Sequence, residues 1–298
     1  MKNIVRFSPS TGSKSPDVWG IYEADTGSIQ YIVADPATRQ AALIDVVQNF
    51  DPRSARTDFS SADQILALVE ENNLQVQWVL DTHPHADHMM ASYYLKEKTG
   101  APNAIGEKVN QIAKLWSDYY NLPDAFSPNE DFDYLFNEGD SFKIGELDVQ
   151  VWLSPGHTLG SITYIVGDAA FVHDTFMYPD SGTSRADFPG GTSEDLWNSL
   201  QRILALPEST RLFVGHDYGK GGREPQWEAT VKQHKLENIH LAGNVTEAQY
   251  REQRDARDAT LALPDRMLHA LQVNLRAGKL PQPEADGASY LKIPANKF

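Results

Sequence analysis

The sequence predicts an α/β fold in which β-sheets are covered on their outer faces by helices. Three observations carry this. Apolar strand-like runs alternate with amphipathic helical segments along most of the chain. Hydrophobic residues fill 41% of the 298 positions, with 20 Gly and 17 Pro spread between them, as in a folded globular protein. Four of the strand-like runs lead straight into loops bearing His and Asp, where α/β folds place their sites.

The first elements are the runs Ile29–Val33 and Ala41–Val46, which flank Asp35-Pro36-Ala37-Thr38 and read as a β-hairpin. Ser61–Glu71 carries Ile65, Leu68 and Val69 at helical spacing, and Val76–Leu80 is a short buried strand. A helix is expected from about Ala86 to Lys98, stopped by Gly100. Another is expected over Lys108–Tyr120, before a loop containing Pro and Asp. Strands then follow at Leu147–Leu153, Ser161–Val166 and Ala169–His173, the last two joined by Gly167-Asp168 as a tight turn. A helix over Ser193–Leu206 leads to the strand Arg211–Val214. Beyond Gly222 the texture turns helical: Thr246–Gln249 matches a capping box, and Pro264 opens a helix ending near Gly278. Residues 1–225 therefore read as the main domain, and 226–298 as a helical extension and tail packed on it rather than an independent unit.

Composition narrows the function. With 26 basic and 41 acidic residues the formal charge is −15, which disfavours a nucleic-acid partner because backbone phosphates are gripped by clustered Lys and Arg. The absence of cysteine excludes disulfides, thiolate metal sites and a cysteine nucleophile, leaving nitrogen and oxygen ligands for any metal. Met1–Ser10 lacks the apolar stretch of a secretory signal, and no run approaches the ~20 apolar residues of a membrane span. A cytoplasmic protein without a membrane partner is expected.

The strongest signal is His83-Pro84-His85-Ala86-Asp87-His88, three imidazoles and a carboxylate within six residues at the expected start of a helix. Imidazolium groups would repel one another at a positive helix end, whereas neutral imidazoles sharing a divalent cation avoid the conflict. His157, in Ser154-Pro155-Gly156-His157-Thr158, Asp174 and His216 follow other strand-like runs, so several strand tips converge on one point. Asp174 is favoured over His173 as a ligand, because neighbouring strand side chains point to opposite faces. His234, His240 and His269 carry no such pattern and are read as ordinary histidines.

This constellation of His83, His85, Asp87, His88, His157, Asp174 and His216 resembles the metallo-β-lactamase superfamily across about 200 residues. Within it the chain is similar to the persulfide dioxygenases, in their bacterial β-lactamase hydrolase-like branch, through Ser184-Arg185-Ala186-Asp187-Phe188-Pro189-Gly190-Gly191 and His216-Asp217-Tyr218. The likeness continues through Arg254–Thr260 and Tyr290–Pro294.

The resemblance implies a four-layer αββα sandwich of α+β class with the metal site at one edge of the two sheets. It further implies one Fe(II) per chain held by His83, His157 and Asp174, a set that leaves three positions for water, dioxygen and substrate. Glutathione persulfide, or a similar low-molecular-weight persulfide, would then react with O2 to sulfite and thiol. His85, Asp87, His88 and His216 would orient ligands or bound water through hydrogen bonds. They would serve equally well in a site for two Zn, as in hydrolases of glutathione thioesters of the glyoxalase II type, where a bridging hydroxide attacks the substrate.

Arg185 is the candidate for gripping substrate carboxylate beside the metal, against the alternative of a salt bridge to Asp187 that anchors the loop. Tyr218 resembles a tyrosine of the family near the metal, against a role as a buried aromatic. Arg185 and Tyr218 are thus the catalytic candidates. Lys220 and Arg223 lie in a Gly-rich loop and are read first as a solvated turn. Some relatives carry a cysteine before the arginine, and this chain has none. The likeness also allows a homodimer. A metal-stabilised binding module or persulfide sensor without turnover is the third class, distinguished by ligand binding with no product.

Overall fold

The structure, a computed structural model, describes residues 4–298. The first half contains strands β1 (Ile4–Ser8), β2 (Asp17–Glu23), β3 (Ser28–Ala34), β4 (Gln40–Ile44), β5 (Val47–Asp51) and β6 (Arg56–Asp58), then helix α1 (Ser60–Glu71), β7 (Gln75–Leu80), β8 (Met89–Met90), α2 (Ser92–Thr99), β9 (Asn103–Gly106), α3 (Val109–Tyr120), the single turn α4 (Pro128–Asp131) and β10 (Tyr134–Phe136). The second half contains β11 (Ser141–Ile144), β12 (Leu147–Leu153), β13 (Ile162–Val166), β14 (Ala169–His173), α5 (Ser193–Leu204), β15 (Arg211–Val214), β16 (Glu228–Thr230), α6 (Val231–Glu237), α7 (Glu247–Asp258) and α8 (Met267–Asn274).

Two large sheets form the middle of the molecule. One runs β1-β2-β3-β4-β7-β9-β10 and the other β11-β12-β13-β14-β15-β16, with a small third sheet β6-β5-β8. Their facing sides interdigitate Val33, Ile44 and Leu80 with Val149, Val151, Tyr164 and Phe171 in one continuous core. On the outer side of the first sheet, Ile32, Leu43 and Val79 pack against Ala62, Ile65 and Val69 of α1 and Leu95 of α2. Because both faces of β3 are covered, all seven of its residues are buried, and Ile29, Tyr31, Ile32, Val33 and Ala34 place apolar side chains on both faces instead of alternating. On the second sheet's side, Leu196, Leu200 and Ile203 of α5 join the core, each contributing about 1.5–3 kcal/mol through burial. This is the four-layer αββα sandwich.

The expected hairpin is β3 and β4, paired Tyr31↔Ile44 and Val33↔Ala42. The β13–β14 turn is also present, with Val166 opposite Ala169 and Gly167 at φ 59°. The capping box at Thr246–Gln249 starts α7, and a second one, Thr230–Gln233, starts α6. No described helix is long and apolar enough to cross a membrane.

One expectation fails. The segment expected to be helical from Ala86 is helical only from Ser92, and residues 83–88 form an irregular loop followed by the two-residue strand β8. The loop's backbone groups find partners elsewhere: β8 pairs with β5 through Val47↔Met90, and Ala91 N–H donates to Val46 O at 2.8 Å. The Asn274 side chain, at the end of α8, donates to His85 O and His88 O at 2.7 and 2.8 Å and accepts from Met90 N–H at 2.8 Å. Tertiary partners therefore replace the helical ladder. The C-terminal segment also packs by apolar contact, with Met267 and Leu271 of α8 against Ile112 and Trp116 of α3.

Candidate metal centre

The histidine–aspartate cluster collects at one edge of the sandwich, on loops leaving β7, β12, β14 and β15. Asp174 lies at its middle. One carboxylate oxygen, Oδ2, faces His83 Nε2 at 3.8 Å and His157 Nε2 at 3.5 Å, while Oδ1 is paired with His216 Nδ1 at 2.5 Å. The other nitrogen of His216, Nε2, meets Asp87 Oδ2 at 2.5 Å. Ligand atoms of His83, His85 and Asp174 lie within 4.8 Å of one another, as do those of His85, Asp87 and His88 and those of Asp87, Asp174 and His216. All the predicted site residues in this cluster are thus brought together, and His157 joins it through Asp174 Oδ2.

Local chemistry aims the rings. His157 Nδ1 donates to Arg185 O at 2.9 Å, which leaves the Nε2 lone pair directed at Asp174. His88 does the same through Met89 O at 3.0 Å. Gly156, at φ 132°, seats the His157 loop against α5, where a Cβ would stand 2.2 Å from Leu196 Cα. His173, also at positive φ (40°) beside a bulge in β14, turns Nε2 to Ser154 Oγ and Thr175 Oγ1 at 3.2 and 3.0 Å. Its ring lies 5.2 Å from that of His83, behind the cluster.

Two electrostatic states coexist here. Burial, reinforced by neighbouring imidazoles, holds His83 well below its ordinary pKa and His88 down to about 4. His157 is also lowered by burial, against the opposing pull of Asp174. For His216, burial is outweighed by Asp174 and Asp87, which hold it well above the usual range. His85 is likewise raised against burial by Asp45, whose Oδ1 stands 3.1 Å from Nε2.

The donor set fits a divalent cation. His83 Nε2, His88 Nε2 and His85 Nδ1 are buried without a hydrogen-bond partner, an arrangement that a native interior avoids unless a metal or water completes it. Ligand atoms each about 2.1 Å from a shared ion stand about 3 Å apart at neighbouring octahedral corners, and the 3.5 and 3.8 Å separations around Asp174 Oδ2 approach this. Nitrogen and carboxylate donors without sulfur suit iron or zinc alike.

The centre opens into a cleft of about 850 Å³. Asp87, His157, Asp174 and His216 line its floor, and Phe188 and Tyr218 its sides. Tyr218 stacks over His216, ring centroids 6.0 Å apart, at a largely exposed position rather than a buried one. Arg185 reaches the cleft, yet its fork is closed on Asp187 by hydrogen bonds of 2.6 and 2.7 Å, and its Nη1 donates to Ala262 O at 2.7 Å. The anchoring geometry weighed from the sequence is therefore present. Arg223 pairs with Asp180 and Asp217, while Lys220 lines the cleft with Nζ donating to Asp180 O.

Several wall residues were not among the site residues read from the sequence. His240 lines the cleft and accepts from Thr183 N–H at 2.9 Å, and Arg254 and Arg257 of α7 and Leu261 beyond it also line the wall. Asp45 was missed as well: buried and at φ 52°, it accepts from Thr82 N–H and Oγ1–H, both at 2.8 Å, beneath His85. The only local signal for it is its position at the end of a buried strand.

A fold of two facing sheets with helices outside, and a histidine–aspartate cluster on their shared edge, defines a metal-dependent enzyme of one superfamily. Residues 31–216 match the metallo-β-lactamase superfamily, and the chain belongs to it. Within that family it is similar to a β-lactamase hydrolase-like protein of Xylella fastidiosa strain Temecula1, 53% identical over 95% of this chain and 65% of the relative. The chain thus spans slightly less than two thirds of that relative's length. It is also similar to the mitochondrial persulfide dioxygenase ETHE1 of Bos taurus, 27% identical over 72% of this chain and 73% of that protein. The crystal structure of ETHE1 from Myxococcus xanthus superposes with a TM-score of 0.69 and 28% identity, covering 93% of this chain and all of that one.

Proposed function

We propose that the protein is a mononuclear iron-dependent persulfide dioxygenase acting on glutathione persulfide or a similar low-molecular-weight persulfide. One observation carries the reading. Asp174 Oδ2 faces His83 and His157, while Asp174 Oδ1 and both nitrogens of His216 are taken up in carboxylate–imidazole pairs. We assign these three side chains, two histidines and one carboxylate, to a single ion, because such a set suits non-haem Fe(II). The similarity to proteins named persulfide dioxygenase and ETHE1 supports the same choice.

The reaction balances as RSSH + O2 + H2O giving RSH, sulfite and two protons: the terminal sulfur gives up four electrons and dioxygen accepts them. When bound, ferrous iron supplies adjacent positions for dioxygen and the persulfide sulfur. The chain's own residues do the rest. The Arg185 carbonyl fixes the His157 tautomer, and His216, pinned between Asp87 and Asp174, orients the carboxylate so that Oδ2 stays turned inward. Lys220 and Arg257, with Arg185 and Arg254 held in pairs with Asp187 and Asp258, bring cationic groups to the cleft wall of an acidic protein, which favours a carboxylate-bearing substrate. Phe188, with the Arg185 guanidinium 4.8 Å from its ring centre, supplies an apolar side that excludes water from the reacting sulfur.

A second reading, a dinuclear zinc hydrolase of glutathione thioesters, is favoured by the clustering of His85, Asp87 and His88 beside Asp87, Asp174 and His216. Metal analysis of protein purified without oxygen, followed by assay with glutathione persulfide, separates the two. One Fe per chain with substrate-dependent oxygen uptake and sulfite formation is expected. Two zinc ions with oxygen-independent thioester hydrolysis would overturn the proposal.

A further inference from the structure

We propose that Asn274 is a positioning residue for the metal centre: its buried carboxamide holds the His83–His88 loop in the shape that turns the imidazoles inward. The inference rests on the metal-binding reading above, though not on which metal or which reaction.

Residues 83–88 have no helix or strand of their own, so the backbone that carries four of the cluster's side chains is not shaped by a repeating ladder. Asn274, fully buried at the last position of α8, supplies what is missing. Its amide group donates to His85 O and His88 O and accepts from Met90 N–H, at 2.7, 2.8 and 2.8 Å. Both donors and an acceptor lone pair are spent on one loop, from a residue more than 180 positions away in sequence.

The two carbonyls belong to His85 and His88, so a tilt of either peptide plane swings the attached Cα–Cβ bond and the ring beyond it. Those rings lie 4.1 Å apart, and the His85 ring lies 4.1 Å from that of His83, so movement of one disturbs the others. Gly278 closes the same contact, since a Cβ there would stand 2.2 Å from Met90 O.

Gln272, two residues earlier on α8, provides an internal control. It is equally buried, but its side chain bonds Leu268 O at 2.7 Å and the Lys292 backbone at 2.9 and 3.1 Å, tying down the tail instead of the loop. A helix that served only as packing would need no carboxamide directed at the loop.

The test uses Co(II) as probe in the full-length apoprotein, with affinity from chelator competition, the d–d absorption spectrum, and the thermal midpoint before metal addition. Asn274→Ala removes all three bonds. Asn274→Asp keeps the shape and the acceptor but loses both donors, and serves if the alanine variant fails to fold. Either variant is expected to bind Co(II) about 10- to 100-fold more weakly, with an altered d–d envelope. Gln272→Ala is expected to lower the thermal midpoint while leaving Co(II) affinity and spectrum as in the wild type. A folded Asn274 variant with wild-type affinity and spectrum would overturn the proposal, as would an equal loss of affinity in Gln272→Ala. Wild-type protein that takes up no Co(II) would overturn the metal-centre reading itself, and this proposal with it.

Discussion

Gly156→Ala probes how the His157 loop is held against the second sheet's covering helix. At φ 132° the backbone is one that side chains adopt at a cost of about 1–2 kcal/mol. The added methyl would meet Leu196 Cα, N and Cβ at 2.2, 2.3 and 2.5 Å, more than 1 Å inside contact distance, on the backbone of α5 rather than on a movable side chain. Relieving that overlap means separating loop and helix, which for an overpacked interior costs a further 1–3 kcal/mol or so. The total is about 2–5 kcal/mol. Thr192 N–H, which donates to Gly156 O at 3.1 Å, would lose its partner in the same movement. Urea denaturation of the apoprotein should show that loss at an unchanged slope, and metal affinity should fall because His157 shifts with its loop. A destabilisation under about 1 kcal/mol, or a folded variant with wild-type metal affinity, would refute the reasoning.

Three further outcomes are expected. Asp174→Ala removes the carboxylate shared by His83, His157 and His216, so Fe(II) retention after desalting should disappear together with oxygen uptake; stoichiometric iron in the purified variant would rule out its role as ligand. Arg185→Ala should raise KM for a carboxylate-bearing persulfide several-fold with a smaller change in kcat, and unchanged steady-state constants would leave the Asp187 pairing as its whole function. His234 is buried in α6 with its pKa lowered to about 3 by desolvation, so it stays neutral in the fold and charges when unfolded. Its contribution is complete above about pH 6.5 and is lost at up to about 1.4 kcal/mol per pH unit as pH falls from there toward 3. His234→Asn should flatten the acid limb of a stability–pH curve, and an unaltered slope would exclude the effect.

The cluster could be read from the sequence because holding a cation demands donor-rich loops, and His83–His88 compresses that demand into six residues. The central strands were legible for the same reason that they are central: β3, β4 and β14 are almost wholly buried and carry mainly apolar residues on both faces. Edge elements were harder. β1 alternates half-buried and exposed residues, and β10 and β16 span three residues each, too few for periodicity to register. The misplaced start of α2 has a different origin. Residues 86–91 satisfy helical pattern rules, yet their backbone is claimed by β5 and by Asn274, partners that no window of sequence around residue 88 contains. Asp45 and the cleft wall from α7 escaped notice on the same grounds, since each matters only through what folding brings beside it.

The bonds from Asn274 carry a consequence for biogenesis. A nascent chain displays the six-residue histidine segment more than 180 positions before the amide that bonds it. These bonds therefore close only after Asn274 has been made, and until then the imidazoles face passing ions without the contacts that hold their loop.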